Sequence, residues 1–177
     1  APALPRPLTD MSNHPASLPD EVVHHLRRCE GFLDLKMTAR ARGEWAQLSE
    51  ADQQHPIAQG MLLRLLVEEK NWPAARAVAE RYQARAPDNA GAWIQLAYTT
   101  RRAQSLDAAR LILETARPLF PKESVIPYNL ACYACQSGEL DQARTLLQEA
   151  ARLDKKSLRY AAEDEDLRAL WPELDDP

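Results

Sequence analysis

The sequence predicts an all-α fold, a solenoid of stacked helical hairpins, on three observations. The pair Ala-Arg recurs every 34 positions, at Ala41-Arg42, Ala75-Arg76, Ala109-Arg110 and Ala143-Arg144. Apolar residues keep the three-four spacing of a helix face, as at Trp93, Leu96, Ala97 and Thr100 and again at Leu106, Ala109, Leu113 and Ala116. No alternating strand of useful length occurs. A single hairpin leaves one apolar face bare, the next hairpin covers it, and at least three are needed for a stable stack.

The elements follow in chain order. Residues 1–16 are expected to be a flexible N-terminal arm rich in proline; Met11 followed by Ser-Asn-His-Pro reads as a start of translation, so Ala1 to Asp10 are expected to be extraneous to the fold, either an upstream extension or an appended non-native segment. Ser17 with Pro19 is expected to start the first helix. Repeats are then expected over 22–55, 56–89, 90–123 and 124–157. The first diverges most, with Arg28 in the column that holds Leu62, Leu96 and Leu130, and Gln53 in the column of Pro87 and Pro121. Asn71-Trp72-Pro73 and Ser137-Gly138 break the runs between paired helices, while Asp88 or Asn89 and then Ser105 cap the helices that follow them. Pro127 falls in the first turn of its helix, where its missing amide hydrogen costs little. Residues 158–177 are expected to cap the stack with two short helices, Asp164 or Asp166 capping within the acidic run Glu163–Asp166.

The best-preserved unit reads Tyr128-Asn129-Leu130-Ala131, then Gly138-Glu139-Leu140-Asp141, then Ala143, Leu147 and Ala150. This resembles the tetratricopeptide repeat, as do Trp93, Leu96-Ala97 and Pro121 in the unit before it. The resemblance covers about residues 22 to 156 and implies a right-handed superhelical solenoid of antiparallel helix pairs, a non-enzymatic binding module, and a concave groove lined by the first helix of each hairpin. Carried over residue by residue, the lining is Ile57, Gly60, Arg64, Val67 and Glu68, then Ile94, Gln95, Tyr98, Arg101 and Arg102, then Tyr128, Asn129, Cys132, Cys135 and Gln136. Tyrosines and arginines in such a lining suit a peptide with apolar anchors and carboxylates. Repeats that clamp acidic chaperone tails use groove lysines and asparagines; only Asn129 matches, with Gly60 or Ile94 where a lysine is needed, so that role is disfavoured.

Composition narrows the function further. A chain of 177 residues with 45% hydrophobic content is long enough to bury a core without disulfide or metal. A net charge of −4 with no strongly basic half argues against nucleic acid, and no run of 18 apolar residues offers a membrane span. Cys132-Tyr-Ala-Cys135 has a redox or zinc spacing, but it falls in mid-helix and lacks a second ligand pair, so it reads as packed small residues. His14, His24, His25 and His55 match no ligand spacing. No cofactor, no metal and no enzymatic activity are expected. Three unpaired cysteines fit a reducing, cytoplasmic setting. The leading expectation is an adaptor or scaffold for a protein or peptide partner, monomeric; the alternatives are a self-assembling unit or a secretion-type chaperone for an export substrate.

Overall fold

The computed structural model describes residues 18–174, all of whose regular elements are helices. The chain divides between Ala86 and Pro87 into two compact units.

The unit over residues 18–86 contains α1 (Asp20–Asp34), α2 (Thr38–Trp45), α3 (Glu50–Gln53), α4 (Pro56–Glu68) and α5 (Trp72–Arg85). Helix α1 buries Val22, Leu26, Cys29 and Leu33, a stripe at helical spacing. That stripe closes a core with Ala41 of α2 and Ile57, Ala58, Met61 and Leu65 of α4. The small Ala41, fully buried, lets α1 and α2 approach closely. Trp45 packs on the same core and donates its indole N–H to the carbonyl of Ala58 at 3.1 Å. The expected start at Ser17 lies outside the described residues, as does the N-terminal arm; Pro19 is the N-cap, and its carbonyl accepts from Val23 N at 3.0 Å. The second helix of this repeat ends early, at Trp45, and the one-turn α3 takes up the rest, capped by Ser49.

The unit over residues 87–174 contains α6 (Ala90–Ala103), α7 (Leu106–Ala116), α8 (Val125–Gln136), α9 (Leu140–Leu153), α10 (Lys156–Ala161), a 3₁₀ helix (Glu165–Leu170) and α11 (Trp171–Leu174). One continuous core joins Ile94 and Ala97 of α6, Ala109 and Leu113 of α7, nearly the whole of α8, and Ala143, Leu147 and Ala150 of α9. Of the expected caps, Asn89 rather than Asp88 is used, its Oδ1 accepting from Gly91 N at 2.8 Å, and Ser105 Oγ accepts from Ala108 N at 3.1 Å; in the other unit Asn71, read from sequence as part of a break, also caps, its Oδ1 accepting from Ala74 N at 3.4 Å. Gly138 turns α8 into α9 with φ of 79°, a left-handed angle that glycine adopts without strain. Lys36 (φ 58°) and Lys70 (φ 56°) make the corresponding turns in the other unit, 34 residues apart.

Burial is unusually complete on α8, where Ile126 through Cys135 are all buried. The reason is the C-terminal segment. The segment expected to hold two short helices forms α10 and then the 3₁₀ helix, which lies against α8 with Leu167 and Leu170 fully buried in the core. The Trp171 indole N–H ties the segment down by donating to Ala161 O at 2.9 Å.

Candidate functional site

The richest polar cluster of the 87–174 unit lies where α6 and α8 meet the acidic turn before the 3₁₀ helix. Asp164 caps that helix, its Oδ1 accepting from Asp166 N at 3.1 Å. Its other oxygen accepts from the Tyr128 hydroxyl at 3.0 Å and lies 3.9 Å from Cys132 Sγ. Asp166 is gripped by two side chains: Arg101 Nη1 donates to Oδ2 at 2.7 Å, and Gln136 Nε2 donates to Oδ1. The second arm of Arg101 donates to Gln136 Oε1 at 2.7 Å, and its guanidinium lies 5.3 Å from the centre of the Tyr133 ring. Arginine, glutamine and tyrosine thus hold a carboxylate pair whose Asp164 half is buried and whose Asp166 half stays partly open to solvent, joined by charge-assisted bonds.

Ionisation follows this geometry. Burial pushes the Tyr128 hydroxyl and the Cys132 thiol well above their ordinary ranges, and the negative Asp164 adds to both. Tyr133 is raised by burial to about 12, against the opposing pull of Arg101. Burial works against the Arg101 charge, but the bond and charge of Asp166 outweigh it, leaving its pKa raised. Cys132 and Cys135 are therefore protonated and shielded, consistent with packed small residues.

The expected groove residues fall into two groups. Ile57 and Ile94 belong to the cores of their units, at 4% and 2% exposure, and Tyr128, Asn129 and Cys132 are covered at 5%, 3% and 0%. Gly60 of α4 and Cys135 of α8 are buried as well, so as a lining open to solvent these seven are corrected. Two isoleucines satisfy hairpin packing, and the C-terminal segment covers α8. Partly exposed are Arg64 and Val67 on α4 and Gln95, Tyr98, Arg101 and Arg102 on α6. Arg64 is engaged by Asp34 and by Glu30 at 3.5 Å. Arg102 stacks over the Tyr98 ring, 3.8 Å from its centre. Gln95, Tyr98 and Arg102 lie at the i, i+3, i+7 spacing of one stripe.

Of the two cap candidates in the acidic run, Asp164 is the one that caps; that Asp164 and Asp166 also reach α8 and α6 is not foreshadowed by the local sequence. The available signal was the charge match between Arg101 and the acidic run, but nothing local places the two together. In the other unit a cleft of about 580 Å³ between α1 and α2 is lined by His24, His25, Arg28, Phe32, Arg40 and Glu44. Glu44 occupies its polar side, bonded to His25 Nδ1 at 2.8 Å and Arg28 at 2.7 Å. Among the described residues no group of three or more His, Cys, Asp or Glu is placed to hold a metal, and no helix is long and apolar enough to cross a membrane.

No family model matches the chain, and no curated protein matches it in sequence. Among solved structures, it is similar to a thermophilic tetratricopeptide repeat protein of Thermus thermophilus, TTC0263, at 17% identity, covering 86% of this chain and 98% of that one with a TM-score of 0.63. The fold is thus of the tetratricopeptide-repeat type, all-helical and built of helix pairs.

Proposed function

We propose that this protein is a non-enzymatic interaction module that holds a protein or peptide partner on the first-helix faces of its repeats. The observation that carries the reading is the stripe Gln95, Tyr98 and Arg102 on α6, partly open while its neighbours Ile94 and Ala97 are sealed in the core. An aromatic ring stacked by a guanidinium combines a broad apolar contact with directed polar groups, the profile of a binding hot spot. Three cysteines kept as free thiols fit a reducing cytoplasmic setting.

The test is capture from a lysate of the source cells on immobilised wild-type chain beside the Tyr98→Ala, Arg102→Glu variant. Proteins held by the first and lost by the second identify the partner, an export substrate included. Retention of the same proteins by both, or of none, sinks the reading. Self-association is the second reading, favoured by Leu153, Leu158 and Tyr160, which stand 40%, 46% and 52% exposed around α9 and α10. Sedimentation over a concentration series decides it: a mass that stays at one chain excludes self-association.

A further inference from the structure

The acidic turn lies on the same α6 and α8 side chains that the repeat pattern assigns to a partner. Asp164 is 4% exposed, bonded to Tyr128, and Asp166 is bonded to Arg101 and Gln136. Immediately after them Leu167 and Leu170 are buried against the core. We propose that this face is a receptor for acidic protein segments of the pattern Asp-x-Asp-Leu-x-x-Leu, and that residues 163–170 are its resident, exchangeable occupant. The inference rests on the reading of first-helix faces as binding surfaces and names the chemistry of the partner.

Three features favour exchange over a permanent lid. The receptor side is organised from its own elements: Tyr133 lies beneath the Arg101 guanidinium and Gln136 bonds it, so the cation is aimed before a carboxylate arrives. The occupant is built from weak structure. A six-residue 3₁₀ helix has poorer hydrogen-bond geometry than an α-helix, and four consecutive acids from Glu163 to Asp166 repel one another. Its fit is also incomplete, because Asn129 Oδ1 is buried without a hydrogen-bond partner. Asn129 shares the helical stripe of Cys132 and Gln136, so a donor on a better-fitting segment satisfies it. Displacing the resident uncovers Leu167 and Leu170, which is why a competing segment needs leucines at the same offsets. The tether holds the resident at an effective concentration in the millimolar range, and the external segment competes against that.

The probe is a fluorescein-labelled peptide of the sequence Ala162–Leu170, read by anisotropy against full-length chains. Asp164→Asn with Asp166→Asn loosens the resident, and we expect binding about tenfold tighter than wild type. Asp166→Asn alone, which keeps the Asp164 cap and so guards against misfolding, gives about threefold. Adding Arg101→Gln to the double variant reverses the gain. Glu163→Gln with Glu165→Gln removes the same charge from exposed side chains and relieves repulsion within the resident, so the affinity stays at or below the wild-type value. Hydrogen exchange at residues 165–170 accelerates in the two loosened variants. The proposal is overturned by equal affinity for wild type and both loosened variants, by an equal gain in the Glu163, Glu165 control, or by no binding to a double variant whose 165–170 amides exchange freely. None of these outcomes changes capture through Tyr98 and Arg102, so failure here is distinct from failure of the broader reading.

Discussion

Arg110 on α7 is shared between Glu114 on its own helix, at 2.9 Å, and Glu139 just ahead of α9, at 2.8 Å, so the repeated arginine staples one hairpin to the next. Arg42 does the same with Glu69, its Nη2 2.5 Å from Oε2. From sequence this column reads as solvated arginines with weak same-helix pairs; the structure adds the inter-hairpin partners. Arg76 pairs with Glu80 at 3.6 Å, and the sequence holds Ala103, Gln104 and Ser105, with no acid, at the spacing where Arg42 and Arg110 find theirs.

The staple predicts an order of sensitivity. Arg110→Ala lowers the thermal midpoint more than Arg76→Ala, whose 3.6 Å pair with Glu80 lies within its own helix. A double-mutant cycle of Arg110 with Glu139 gives a nonzero coupling that shrinks in high salt; coupling that is absent at low salt removes the staple.

Acid stability traces in part to Glu44. Its bonds to His25 and then Arg28 hold its carboxyl below the ordinary value of 4.5. The unfolded chain therefore binds more protons across the window between the two values. Glu44 contributes fully above about 4.5, and its contribution drains away as pH falls through the depressed folded value. Urea unfolding between pH 3 and pH 6 shows a flatter acid limb in Glu44→Gln than in wild type.

Leu113 is fully buried where α7 meets the core of its unit. Leu113→Ala costs roughly 3 kcal/mol, read as a shift in the denaturant midpoint at unchanged slope.

Thiol chemistry reports the same burial. Cys29 is pushed up to about 11 by burial, against the pull of Arg64, so on the order of a thousandth of it is thiolate at pH 8. Alkylation followed by mass spectrometry labels Cys29, Cys132 and Cys135 only on the timescale of opening. Rapid labelling of the native chain at pH 8 contradicts the packing described.

Periodicity and capping were legible because both are local. Ala109 and Leu113 lie one turn apart on α7, and Asn89 and Ser105 stand within three residues of the amides they cap. The cover over α8 was not legible, because Tyr128 and Asp164 are 36 residues apart and only the folded chain brings them together. The same non-locality hid Ile57, whose apolar side chain suits a groove or a core equally until α1 and α2 are set against it.

The left-handed turn residues carry a consequence for engineering. Lys36, Lys70 and Gly138 stand in one column of the repeat, and only the last is of the type that takes such an angle freely. Lys70→Gly releases local strain worth on the order of 1 kcal/mol, partly offset by the added freedom of the unfolded chain. Lys36→Gly does the same at the loss of an exposed ion pair with Glu68. The protein therefore holds stability in reserve at two positions of the 18–86 unit, neither of which belongs to the unit that carries α6 and α8, and a hardened scaffold is two codons away.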